Sequence, residues 1–508
     1  MAKKKIRLEY SGFIIFAAYM VSIVTGLIFQ FMVARALYKT YTVDSVTRSE
    51  YDLWLNINDV VPYFTLMSSV LPFWIMRFVA KGKGEDAKTG IIANLTISAI
   101  ATLVYLLLVS FITSALRISA TYLPAYFLMA IQIIELYSIA VLEACLQAKV
   151  PQTIGYGMLV QQVCKVVLGY VLIIKLDQPL LGVVVTTIAS FALQTVYYLK
   201  LLAPELKQRI EWGYVKEWLK GSVATIYSVV GGQMAAFIFI MLFEYGGTDA
   251  RGIVGAAAAV TTVITYSSFL AYALYPKLLA EKRREDITAS LRMVLMFAIP
   301  MTVGAIALSN SFIVLLKPDY SFAGPVLIVL AIDAFITVLS NIFASVLFGF
   351  ETVDDNAKLS LRQLTKSRLW MAFSLPYVYS AITLPTTYYV LTNYAYNQPF
   401  YAALYVSIIS SSASFATLLI QYSIVRKMAR IAVPWRSVAK YALSAAVMGS
   451  VLYLIPHTTR LPMTLVETAL GGIIYLALLM AIDKEARSLP SSIMREIKRR
   501  MKKTETGS

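Results

Sequence analysis

Residues 77–87 read Arg77-FVAKGKGEDA, and residues 277–287 read Lys277-LLAEKRREDI. The two stretches align without a gap at an offset of 200 residues. Ala80 meets Ala280, Glu85 meets Glu285 and Asp86 meets Asp286, while Arg77 and Lys83 meet Lys277 and Arg283. Each copy closes one long apolar run and opens the next. A match this short gains its weight from position: six apolar runs separate the copies, as a parallel inside-to-inside duplication requires. Self-similarity at a fixed period decides architecture before any local reading does.

The composition around the repeat sets the solvent. Of 508 residues 59% are hydrophobic and only 14% charged, and mean hydropathy is +0.70. A soluble chain of this length carries roughly 25% charge, so this one is an integral membrane protein. A bilayer core of roughly 30 Å takes about 20 apolar residues per helix, and backbone groups in lipid must be satisfied within the segment. Fourteen runs meet that description: 11–37, 53–80, 90–116, 122–146, 153–174, 179–203, 221–243, 252–278, 287–308, 324–350, 370–391, 399–425, 438–455 and 461–482. They are continuous and too long for alternating barrel strands. The basic start Met1-AKKKIR resembles a signal peptide's n-region, but the apolar run behind it is too long and stays as the first membrane helix.

Charge then orients the spans. Of 45 Lys and Arg, 35 fall in the tails and alternate loops of one side and seven in the loops of the other. Arg35, Arg77 and Lys165 lie within spans or at their ends. The positive-inside rule places both termini in the cytoplasm. The expected fold is therefore all-α and polytopic. Two six-helix bundles (1–203 and 221–437) surround a central cavity, and a helix pair (438–482) and a basic cytoplasmic tail (483–508) follow. Residues 204–220, with Trp212, Trp218, Lys207, Arg209 and Lys216, read as a cytoplasmic amphipathic linker lying on the membrane surface. The tail run 495–503 reads as a solvated helix drawn to anionic lipid. Tyr38, Tyr41, Tyr51, Tyr245, Tyr320, Tyr394 and Tyr396 of the outer loops read as an interfacial belt. Cys145 and Cys164 frame no disulfide or zinc pattern, and the one histidine, His457, excludes a His-based metal site or proton relay. The loops are too short for a nucleotide-binding domain. No cofactor and no nucleic-acid partner is expected.

Four stretches carry a family resemblance. Val33-Ala-Arg-Ala-Leu37 ends the first span, Arg77-Phe-Val-Ala80 the second, and Leu274-Tyr-Pro-Lys-Leu278 the eighth. Phe312-IVLLKPDYSFAGPVLIVLA-Ile332 leads into the tenth. Together they resemble the multidrug/oligosaccharidyl-lipid/polysaccharide exporter superfamily, and within it the polysaccharide (Wzx-type) flippases. Tyr38-Lys-Thr40 stands where that family usually has a glycine. The resemblance implies alternating access in the plasma membrane. It also implies transfer of a polyprenyl- or dolichyl-phosphate-linked oligosaccharide from the cytoplasmic to the outer leaflet, for surface polysaccharide or glycoprotein assembly. Separate glycosyltransferases would build that glycan.

Such a substrate needs cations for its phosphate within the membrane, where ionisable groups are costly and point to function. Lys165 is the best-placed cation, with Gln161 four residues before it on one helical face. Its alternative is an ion pair with Glu143 or Glu135 of the preceding span. Arg35 and Arg77 are further substrate candidates, or they snorkel to the headgroups. Asn56, Asn58 and Asp59 cluster before Pro62, and Asp333 and Asn341 share a face of the tenth span. These, together with Glu135 and Glu143, are candidates for a polar cavity or for H⁺ or Na⁺ coupling, against plain helix–helix hydrogen bonding. A drug or organic-cation antiporter of the same fold is the second reading, through Asp59 and Asp333. A membrane enzyme is the third and weakest, since the outer loop 38–52 offers only Asp44, Glu50 and Asp52.

Overall fold

The computed structural model describes residues 8–37, 40–43, 46–80, 86–115, 118–207, 209–247, 250–316, 318–351, 365–428, 432–455, 461–483 and 486–487. The basic tail beyond 487, His457 and the repeat residues 81–85 lie outside that set. Contacts divide the chain into two compact units. The first comprises Met1–Ile6, Ile14–Val229 and Thr352–Ser367, and the second Arg7–Phe13, Val230–Glu351 and Arg368–Ser508.

Twelve helical segments are long and apolar enough to cross a membrane among the described residues. The helices Leu8–Ala36 and Arg368–Asn393 occupy the two remaining runs read from the sequence. The protein is a helical, polytopic membrane protein.

The first unit carries α1 (Leu8–Ala36), α2 (Glu50–Thr65), α3 (Val70–Ala80), α4 (Asp86–Ala115), α5 (Leu123–Lys149), α6 (Gln152–Gly169) and α7 (Pro179–Leu202), and the start of α8 (Trp212–Tyr245). Its core gathers Phe29, Val33, Leu53, Trp54, Tyr105, Tyr126, Met129, Ile133 and Val183, all nearly inaccessible. In lipid, helices gain little from burying apolar surface against each other, so polar cross-links matter more. Tyr105 donates its hydroxyl to the Tyr126 carbonyl at 2.6 Å. Asn94 donates to the Tyr137 carbonyl at 2.8 Å, and Tyr137 to that of Phe64 at 3.1 Å.

The loop after α1 holds a hairpin. β1 (Thr40–Val43) pairs antiparallel with β2 (Val46–Ser49), Thr40 opposite Ser49 and Val43 opposite Val46. Its Thr, Tyr and Val residues suit extended backbone. Glu50, at the start of α2, is buried and accepts a hydrogen bond from the Tyr122 hydroxyl at 3.1 Å.

The linker differs in form from its reading in the sequence: residues 212–220 are not a separate helix but the first turns of α8, which runs unbroken to Tyr245. Trp218 is fully buried, edge-on to Phe78 and stacked on Tyr214. Nothing breaks the helix before Gly221, and there a side chain's Cβ would lie 2.4 Å from the Trp74 ring. Glycine at this point lets α8 approach α3 closely, and the paired aromatics outweigh the pull of the interface on Trp218.

The second unit carries the remainder of α8, then α9 (Ala250–Thr265), α10 (Leu274–Glu281), α11 (Glu285–Ala307), α12 (Ser309–Leu316), α13 (Gly324–Gly349), α14 (Arg368–Asn393), α15 (Pro399–Met428), α16 (Trp435–Leu454) and α17 (Leu461–Ile482). α13 packs against α9, α11 and α15. The terminal pair packs on α11 through Leu295, Met296, Tyr441, Met448, Leu452 and Leu479. Tyr475 secures it by donating to the Met296 carbonyl at 2.6 Å.

The repeat has a structural counterpart. The second span breaks into α2, a 3₁₀ turn at Leu66–Ser69, and α3. The eighth breaks into α9, a 3₁₀ turn at Tyr266–Ala271, and α10. α2 and α9, and the starts of their turns, are offset by the same 200 residues as the sequence motif. Pro62 lacks an N–H for the ladder and crowds the preceding turn, which accounts for the first break. The second has no proline ahead of it.

Candidate functional site

Charged side chains lie within the spans of both units. In the first, α6 lays its polar residues against α1. Gln162 accepts a hydrogen bond from Thr25 at 3.1 Å. Three residues on, the Lys165 ammonium sits 4.6 Å from the centroid of the Phe29 ring, a cation–π contact. Gly169, a turn further, brings the backbone against the same ring. Among the described residues no carboxylate reaches Lys165. Gln161, four residues before it, is buried.

The acids weighed as partners of Lys165 face elsewhere. Glu143 of α5 turns to α7, accepting hydrogen bonds from Tyr198 at 3.0 Å and Gln194 at 3.3 Å. Tyr198 also contacts the Ile154 carbonyl, and Gly157 leaves the space its ring fills. Glu135, two turns earlier, is 7% exposed, and its Oε2 has no hydrogen-bond partner among the described residues.

The second unit builds a polar cavity on Asp333 of α13. A space of about 200 Å³ is lined by Asp333, Thr261, Thr265, Thr337, Ser407 and Ser410, with Phe239 at its side. A second space of about 500 Å³ shares Phe239 and Thr337 and adds Tyr379, Ser414, Thr417 and Gln421. Ser414 and Tyr379 face the Asp333 carboxylate. A hydrogen bond joins Tyr379 Oη to Ser410 Oγ. Asp333 Oδ1 is buried with no hydrogen bond among the described residues. A carboxylate so placed, with hydroxyls at hand and one oxygen unused, suits a proton or a small monovalent cation, which takes oxygen ligands.

The other candidates scatter. Asn341 leaves the Asp333 group and points its amide at Ser268, 3.5 Å away; eight residues on a helix turn a side chain by about 80°, enough to separate them. Asn58 bonds the Trp54 carbonyl of its own helix at 2.7 Å. The side chains of Arg35, Asn56 and Asp59 lie outside the described residues. Arg77 is completely buried at the end of α3, its guanidinium 6.0 Å from the Phe73 centroid. Its repeat counterpart Lys277 is buried as well and bridges Asp286 at 2.7 Å. Reading the sequence missed Tyr379, Ser410 and Ser414. The run Ser410-SSAS-414 in an apolar span was the available signal, and Tyr379 offered none.

With this geometry in place the whole chain can be set beside known structures. It is similar to a MATE transporter in complex with MaL6, with a TM-score of 0.63 and 11% identity over 83% of this chain and 96% of that one. The outward-facing conformation of a multidrug resistance MATE family transporter of the MOP superfamily gives 0.64 at 11% identity, over the same shares. The chain has the MATE transporter fold. A third neighbour is a MOP superfamily transporter from Pyrococcus furiosus, described by a reversed polarity of its binding pocket (TM-score 0.63, 12% identity, 83% and 96% covered). No family model and no curated relative matches the sequence. At these identities the likeness carries the fold and no residue's role.

Proposed function

We propose that this MATE-fold chain is a secondary transporter of the MOP superfamily, not an enzyme. In this reading it moves a polyprenyl- or dolichyl-phosphate-linked oligosaccharide from the cytoplasmic to the outer leaflet by alternating access. Lys165 carries the proposal. A cation within a membrane span with no carboxylate in reach is costly to keep unless an anion meets it; a lipid-linked phosphate supplies one. Asp333 with Tyr379 and Ser414 would take the H⁺ or Na⁺ that drives the cycle. The chain would cross the plasma membrane fourteen times with both termini in the cytoplasm, its two six-helix halves followed by the extra pair. Separate glycosyltransferases would supply the glycan.

A specific observation favours a second reading. The Asp333 cavity is acidic and rich in hydroxyls, which suits exchange of a drug or organic cation for H⁺ or Na⁺.

One experiment separates the two. Proteoliposomes would carry a polyprenyl-diphosphate oligosaccharide labelled on its glycan, and exposure of the label to an impermeant reagent would be followed. Protein-dependent exposure is expected, falling at least tenfold in Lys165→Ala and largely kept in Lys165→Arg, the loss of a charge-assisted contact of about 1.5–3 kcal/mol. In Asp333→Asn the response to an imposed Na⁺ or H⁺ gradient should disappear, a loss of coupling worth about 1–3 kcal/mol. No exposure under any gradient, with ethidium efflux that depends on Asp333, would replace the flippase by the antiporter.

A further inference from the structure

The start of α16 gathers cations that the proposed transport cycle does not use. A cavity of about 650 Å³ lies there, lined by residues of α11, α16 and the end of α17. Arg292, Arg436 and Lys440 line it with Trp435, Ser437 and Ile482. Among the described lining residues the one carboxylate, Asp483, is 3% exposed and stands 3.5 Å from the Lys440 ammonium. Three cations against that carboxylate leave two net positive charges among them. Arg436 is exposed and makes no ion pair among the described residues.

The surroundings say what kind of anion fits. Trp435 is 72% exposed at the end of a membrane helix, as a side chain at the lipid–water interface is. Above it, Leu443, Val447 and Leu454 are all exposed. Their spacing from Arg436 (seven, eleven and eighteen residues) puts all four on one face of α16. From Arg436 to Val447 that face rises about 16 Å, close to half of a hydrocarbon core of roughly 30 Å. One helix face thus presents cations at headgroup depth and apolar side chains along one leaflet.

We propose that this cavity binds the phosphate of an anionic phospholipid such as phosphatidylglycerol, with an acyl chain laid along Leu443 and Val447. Free phosphate shares the ester's charge and would engage the same cations, but it has no use for Trp435 or for the apolar face. Basic pockets between membrane helices are a recurrent home for such headgroups. The assignment is independent of what the chain transports.

Native mass spectrometry of the full chain, titrated with phosphatidylglycerol or phosphatidylcholine in detergent, tests it. The wild type should retain one phosphatidylglycerol more tightly than any phosphatidylcholine. Arg436→Gln with Lys440→Gln should weaken that lipid about thirtyfold, at about 1 kcal/mol per cation. Arg436→Gln alone, at an exposed position that leaves Lys440 with Asp483, should weaken it about fivefold and keeps the test valid if the double variant folds poorly. Lys216→Gln with Lys220→Gln removes the same charge in the first unit and should leave the affinity unchanged. Equal retention of the two lipids, equal loss in both double variants, or full displacement by inorganic phosphate at the lipid's own concentration would each overturn the assignment.

Discussion

Lys277 and Asp286 show how the membrane-end charges are used. Each is about a tenth exposed at the side chain, and their 2.7 Å contact joins the middle of α10 to the start of α11. Removing one partner leaves the other buried and uncompensated. Lys277→Gln should therefore lower stability by about 3 kcal/mol, and the thermal melting midpoint in detergent should fall with it. Lys277→Gln combined with Asp286→Asn should recover much of the loss; a double variant no better than the single would refute the pair's role. Lys165 differs because it meets an aromatic ring instead of an acid. Its position within a span was plain in the sequence. Its lack of a carboxylate partner among the described residues was not, since Glu143 and Glu135 stood one helix away with suitable spacing. Glu143 is taken by Tyr198, 55 residues further along the chain, and no local pattern announces that choice.

Among the elements, α8 departs most from its reading in the sequence. The basic and aromatic residues at 204–220 suggested a helix lying on the surface, but Trp218 is drawn inward by Phe78 and Tyr214, and Gly221 admits Trp74. Gly221→Ala would place a methyl 2.4 Å from that ring and should cost about 1–3 kcal/mol as overpacking. Gly232→Ala, on the same helix with open space at its Cβ, should be neutral or slightly stabilising. Melting curves of the two variants compare them directly, and equal behaviour would show that α8 does not depend on this close approach. The broken spans carry a similar lesson. Neither break was read from the sequence: Pro62 precedes the first, whereas the 3₁₀ turn at Tyr266–Ala271 follows no proline.

For the molecule as a whole, the testable claim is orientation. In a chain with Cys145→Ala and Cys164→Ser, a cysteine at the exposed Tyr396 should react with an impermeant maleimide added to intact cells. A cysteine at the exposed Arg436 should react only after permeabilisation. The reverse pattern would invert the proposed topology, and labelling of both from outside would remove the odd number of crossings between them.

Hydropathy, loop charge and the 200-residue repeat are properties of contiguous residues, so the sequence alone determined a polytopic helical protein and the runs its helices occupy, while the related breaks in two of them came only with the structure. The bilayer enforces this: any segment in lipid must close its own backbone hydrogen bonds, and helix follows from composition. Which side chains meet was decided only by tertiary structure. The Asp333 cavity draws residues from α8, α9, α13, α14 and α15, and the cationic cavity at α16 draws Arg292 from α11, over 140 residues earlier in the chain. Polar partners in a membrane are chosen by how helices pack, and packing depends on the shapes of distant segments that no local window contains.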